Sequence, residues 1–276
     1  MAEISAAAVK SLRERTKLPM MKCKAALELT GGDEEAAIEH LRKEGEKFSE
    51  SRGDRETSSG RIEIYASVSG GVGAMIEFQC ESDPVTKNTA FKQLTADLAK
   101  QLATGPGAAT PDELLGQPSP SRKGETLKDQ VTELTNQIRE VFRLARIVRI
   151  DKPCGGYVHH DGRSGVLVEV TGGSDELAKE VGMQIVAMQP FVVNIADLDP
   201  AVVAKEREIL AAASRKEGKP ENIIEKMVEG RLRNFYAERV LNEQPFVKDS
   251  AVTVGKMAKQ NGMEIKKFIH WTLGGN

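Results

Sequence analysis

The sequence predicts an α+β fold assembled from a duplicated strand–strand–helix unit. Three observations carry that prediction. Tyr65, Gly70, Gly73 and Glu77 recur as Tyr157, Gly162, Gly165 and Glu169, each pair offset by 92. Each copy also has the pattern of a β-hairpin. In the first, Ile62, Ile64, Ala66 and Val68 alternate with other residues, Ser69-Gly70-Gly71 turns the chain, and Val72 to Phe78 returns. Finally, both hairpins lead into apolar residues at helical spacing: Phe91, Leu94, Leu98 and Leu102 after one, Leu177, Val181, Ile185 and Met188 after the other.

The remaining elements follow in chain order. Residues 1–45 read as a module of three short helices. Ser5 suits an N-cap, with Ile4 and Val9 placed as a hydrophobic staple. Pro19 opens a second helix carrying Met20, Cys23 and Leu27, and Gly31-Gly32 ends it. Asp33 caps a third, with Gly45 expected to close it. Residues 46–60, rich in Ser, Gly and charge, read as a linker. The first core unit spans 61–146 and includes a long helix: Leu127, Val131, Leu134, Ile138, Val141 and Ala145 step by four and three. The second core unit spans 147–198. Residues 199–243 read as an inserted antiparallel helical hairpin. Asp199-Pro200 starts it, Gly218-Lys219-Pro220 turns it, and Ile209 and Leu210 face Ile224, Met227 and Val228. Residues 244–276 complete the core with a helix over 252–260 and a strand through Ile269, Trp271 and Leu273.

Composition narrows the function. The 276 residues allow one or two domains. Lys plus Arg is 39 and Asp plus Glu 41, a net charge of −2, which argues against a nucleic-acid coat. Aromatic residues, at 4%, are too sparse for a base-stacking platform. Cys23, Cys80 and Cys154 are odd in number and widely spaced, which suits reduced thiols in a cytoplasmic protein. No apolar run approaches the ~18 residues of a membrane span, and Met1 to Lys10 lacks the pattern of a signal peptide. The four histidines have no metal-ligand spacing, and G-x-S-x-G is absent. Gly70, Gly71 and Gly73 are not followed by Gly-Lys-Ser/Thr, so they read as a hairpin turn, not a phosphate loop. A binding protein without cofactor or metal is the expectation, not an enzyme.

Longer motifs carry a family resemblance. Val9-Lys10-Ser11-Leu12-Arg13 to Thr16, Met20-Met21, Cys23-Lys24, Gly32-Asp33, Ala37-Ile38 and Leu41-Arg42 run through the first module. Gly165-Val166-Leu167-Val168 lies in the second hairpin, and Gly218-Lys219-Pro220, Glu229-Gly230-Arg231 and Gln244-Pro245-Phe246-Val247 in the helical hairpin and its exit. Together they resemble elongation factor Ts, the guanine-nucleotide exchange factor of the translation factor EF-Tu, over nearly the whole length.

The resemblance implies a UBA-like (ubiquitin-associated-like) amino-terminal module, EF-Tu as partner in its GDP-bound and nucleotide-free forms, and no direct contact with nucleic acid or membrane. It also implies a functional loop. The family's Thr-Asp-Phe-Val reads here as Ser82-Asp83-Pro84-Val85, expected to reach the partner's nucleotide site and dislodge its magnesium ion. Pro84 stands where the family has phenylalanine, and Gln184 where it has histidine. Met20, Met21, His159 and Gln184 are further expected partner contacts. A homodimer or a 2:2 complex stays open. Two other readings also remain: a recruiting module with a UBA-like head and no exchange activity, and an enzyme, for which the sequence offers neither paired acids nor a nucleophile with a base. Taken singly, Asp83-Pro84 is an ordinary helix-entry turn, the methionines are ordinary core residues, and Arg231, Arg233 and Arg239 lie on a solvated helix face.

Overall fold

The computed structural model describes residues 4–217 and 220–275. In order, the elements are α1 (Ala6–Thr16), α2 (Met20–Leu29), α3 (Glu34–Glu50), β1 (Ser59–Ser67), β2 (Val72–Cys80), α4 (Thr89–Thr104), α5 (Pro111–Leu115), α6 (Leu127–Ile138), β3 (Phe142–Ile150), β4 (Cys154–Val158) and β5 (Ser164–Gly172). Then come α7 (Asp175–Met188), α8 (Pro200–Lys216), α9 (Glu221–Arg239), β6 (Pro245–Phe246), β7 (Asp249–Thr253), α10 (Val254–Gln260) and β8 (Met263–Thr272). Two sheets have three strands each, ordered β1-β2-β3 and β4-β5-β8, and β6 pairs with β7. The architecture is α+β.

The duplication is visible in the strand bounds. The central strands β2 and β5 are offset by 92 at both ends (164 − 72 and 172 − 80). Each is followed by a helix, α4 or α7, and each hairpin gains a third strand, β3 or β8.

The chain forms two compact units. One takes the chain up to Glu63, then Ala74–Arg149 and the residues from Leu273; the other is Ile64–Gly73 with Ile150–Thr272. In the first unit, Ser5 caps α1 by accepting from the Ala8 N–H at 3.2 Å, and Asp33 accepts from the Ala36 N–H at 3.0 Å. Val9, Leu12, Leu18, Cys23, Ala26, Leu27, Ala37 and Leu41 bury the faces that α1 to α3 share. The third helix does not stop at Gly45. It runs to Glu50, into the segment expected to be a linker. Gly45 has a packing role instead: a Cβ there would collide with the Asn136 amide, which donates to the Leu41 carbonyl at 2.8 Å. The glycine lets α3 and α6 approach closely.

The expected long helix is also shorter. It ends at Ile138, and Phe142–Ile150 is a strand. Arg139 takes a left-handed conformation, φ 65°, and its N–H bonds to the Thr135 carbonyl at 2.9 Å, closing the helix. Val141 therefore lies beyond the helix and Ala145 on β3. Phe78, Phe91 and Phe142 then pack with centroids 5.3–6.0 Å apart, joining β2, α4 and β3.

In the second unit, β5 pairs with β4 and β8, and Val166, Val168, Val181, Ile185, Met257 and Ile265 are among the buried residues. Gly182 admits close packing of α7 on β4, because a Cβ there would lie 2.7 Å from the Tyr157 Cβ. The helical hairpin forms from α8 and α9 as expected, around Ile224, Val228, Leu232 and Phe235 with Leu210 against them. Ile209, expected to join that seam, is instead exposed. Gly218 and Lys219 of the expected turn lie outside the described residues. Arg231 bonds to Glu217 at 2.9 Å and Arg239 lies over the Phe235 ring at 4.3 Å. Among the described residues, no helix is long and apolar enough to cross a membrane.

Candidate partner-binding tip

The four residues of the expected functional loop lie where β2 leaves its sheet. Ser82 precedes a short 3-10 turn, Asp83–Lys87, with Pro84 in its first turn. Proline fixes φ near the helical value and needs no N–H partner there, so Asp-Pro is a natural entry. Asn88 then caps α4, accepting from the Ala90 and Phe91 N–H groups at 2.8 and 3.3 Å.

Burial divides the loop in two. Val85 and Thr86 point inward and anchor the turn, while Asp83 and Pro84 are exposed. The Thr86 hydroxyl donates to the Asp83 carbonyl at 2.7 Å, and the Val85 N–H to the Ser82 carbonyl at 3.3 Å. Among the described residues, the Asp83 carboxylate pairs with Lys87 alone, at 3.4 Å, with both side chains solvent-facing. Such a pair holds the carboxylate weakly. The tip therefore presents an acid and an apolar ring to solvent.

Its base is tightly held. Glu140 accepts the Ser82 N–H at 3.1 Å through Oε2 and the Ser82 hydroxyl through Oε1. In return Glu81 Oε1 accepts the Val141 N–H at 2.8 Å, while Glu81 Oε2 takes Arg55 at 2.8 Å. Desolvation alone would raise the Glu81 pKa. The Val141 N–H and Arg55 overrule it, and the carboxyl is held below its usual range. Behind the loop, the fully buried Cys80 thiol donates to the Ser82 carbonyl at 3.3 Å. Burial, with the negative charge of Glu140 second, pushes that thiol up to about 12.

The other expected contacts fall into different settings. Met20 and Met21, on α2, are 51% and 74% exposed, so they are available to a partner and are not core residues. Leu29 on the same helix, 72% exposed, was not singled out by sequence. His159 follows β4, half-buried, with Nδ1 3.1 Å from the Tyr157 hydroxyl. Gln184 requires a correction. It is 0% exposed on α7, and its amide is consumed internally. It donates to Gln244 Oε1 and the Pro245 carbonyl at 3.1 and 3.2 Å, and accepts from the Val247 N–H at 2.8 Å. A side chain so placed has no surface to offer a partner. Glu140 also escaped the sequence reading, because its role depends on a residue 58 positions away.

A family model described as "Elongation factor TS" matches residues 81–275. Elongation factor Ts of Methylococcus capsulatus (strain Bath) is 40% identical over 274 residues, covering 98% of this chain and 92% of that protein. The Aeromonas hydrophila protein of the same name is 40% identical, covering 99% and 92%, and that of Aquifex aeolicus is 39% identical, covering 97% of both. With likeness running almost end to end and a family model that begins at Glu81, beside the tip, the chain belongs to the elongation factor Ts family.

Proposed function

We propose that this chain is a guanine-nucleotide exchange factor that binds EF-Tu, disturbs its magnesium and GDP site, and speeds GDP release during translation elongation. The observation that carries the reading is the exposure of Asp83 and Pro84 on a braced base, in a chain that matches a family member over 98% of its length. The factor performs no covalent chemistry. Its task is to bind the nucleotide-free partner better than the GDP-bound one, and linkage then requires GDP to weaken factor binding equally. A thousandfold acceleration corresponds to a barrier lower by about 4 kcal/mol.

The partner's magnesium ion is the largest local charge holding the phosphates, so its shell is an effective place to act. Asp83 offers a carboxylate that competes with the ion's ligands or its waters, and Pro84 a small rigid wedge. Met20, Met21 and His159 add grip elsewhere, supplying binding energy that offsets the distortion of the partner. The test is to mix the protein with EF-Tu loaded with fluorescent GDP and follow release. The wild-type chain accelerates release. Asp83→Ala slows it far more than it weakens binding, since among the described residues its side chain makes one exposed ion pair, with Lys87. Equal release by wild type and variant would discard the role of Asp83. Complex formation without any release would select the recruiting-module reading instead.

A further inference from the structure

We propose that Glu140 is the positioning residue of the exchange tip, and that the Ser82 hydroxyl acts inward on Glu140, not outward on the partner. The proposal rests on the exchange reading above and adds to it the residue that aims Asp83.

Three observations support it. Glu140 grips one residue with both carboxylate oxygens, taking the Ser82 N–H on Oε2 and its hydroxyl on Oε1. A planar carboxylate bonded to two atoms of one residue fixes orientation as well as position, and its bonds are the stronger charge-assisted kind. Second, the grip is reciprocal: Glu81 reaches back to the Val141 N–H at 2.8 Å, so adjacent residues on each segment cross-brace. Third, Ser82 forgoes its ordinary local role. It sits at the N-cap of the 3-10 turn, where a serine side chain normally accepts a backbone N–H, yet it makes no such cap bond. Its hydroxyl is diverted to Glu140.

The next residue is Asp83, whose side chain, among the described residues, has only the exposed Lys87 pair to steady it. The direction in which Asp83 projects is therefore set from behind, through Ser82. The chain reversal at Arg139, φ 65°, delivers Glu140 to that spot immediately after α6. Preorganisation of this kind raises the rate of the distorting step without adding contact area, because the tip need not be ordered on arrival.

The test separates the saturated exchange rate from half-saturation, using the full-length chain with EF-Tu loaded with fluorescent GDP. It adds hydrogen–deuterium exchange of segment 83–85 in the free protein, which needs no partner. Glu140→Ala should lower the saturated rate about tenfold, or about 1.4 kcal/mol, leave half-saturation within about twofold, and speed deuterium uptake at the tip. Glu140→Gln, which keeps an acceptor for the Ser82 N–H and a donor for its hydroxyl, should recover most of the rate. Ser82→Ala should lower the saturated rate by about threefold, and Glu140→Ala added to it should cost less than it does in the wild type. Should Glu140→Ala fail to fold, Glu140→Gln and Ser82→Ala carry the comparison.

An unchanged saturated rate in Glu140→Ala, or unchanged tip deuteration, overturns the proposal. So does a Ser82→Ala defect confined to half-saturation, which would place the hydroxyl on the partner. A wild-type chain that releases no nucleotide sinks the exchange reading; tip deuteration that still depends on Glu140 would show the brace to be real regardless.

Discussion

Replacing Gln184 by alanine should damage the fold and spare the partner surface. The side chain is fully buried and serves three groups: Gln244, the Pro245 carbonyl and the Val247 N–H. Pro245 and Val247 are exposed residues, so water can replace the lost bonds there. Gln244 is as buried as Gln184, and its Oε1 would lose this donor, a cost of about 1–3 kcal/mol. The missing side chain leaves roughly 50 Å³, adding about 1 kcal/mol. The expected loss is about 3 kcal/mol, a large fraction of a typical domain's margin. Urea unfolding measures it, and titration with GDP-loaded EF-Tu under folding conditions measures affinity. A loss below about 1 kcal/mol, or weakened binding at unchanged stability, would refute the argument and return Gln184 to the contact surface.

Other expectations follow from the same contacts. Gly45→Ala should destabilise although alanine is the better helix former, because its methyl collides with the Asn136 amide; about 1–3 kcal/mol is expected from overpacking, and thermal unfolding would show the reverse if helix propensity dominated. Glu81 has a depressed pKa in the folded state, so its contribution is present above the unfolded carboxylate value and lost as pH falls through the folded one. Glu81→Gln should therefore be less stable than wild type at neutral pH and converge with it as pH falls below the depressed folded value; a gap that persists after the carboxyl is protonated would show that its charge is not what matters.

Much of this architecture was legible in the sequence because its signals are local. The 92-residue offset between Tyr65 and Tyr157 and the glycines that follow them marks strands whose bounds repeat by the same interval. Ser5, Asp33 and Asp199 are short polar residues ahead of apolar periodicity, and the structure shows each capping its helix. The errors came where two periods overlap or a marker has two uses. Leu127 to Ile138 steps by three and four, and Val141 and Ala145 continue that rhythm while lying past a helix end that Arg139 marks without glycine. Gly45 resembled a helix stop, but its reason lies across the fold in Asn136. At the tip, Asp83 and Pro84 were readable as a motif. Glu140 was not, since nothing local announces an acid that will grip a serine on another segment. The burial of Gln184 is not legible either, because a helical position gives no hint of an amide network formed with residues 60 or more positions later.

The concealment of all three cysteines has a practical consequence. Cys23, Cys80 and Cys154 are fully buried, and burial pushes the last two thiols up to about 12. Only the thiolate attacks electrophiles, so the native protein should be inert toward maleimide dyes. One cysteine installed at Met21, which is 74% exposed, would then take a fluorophore alone, with no background thiols to delete. The molecule is ready-made for single-site distance measurements.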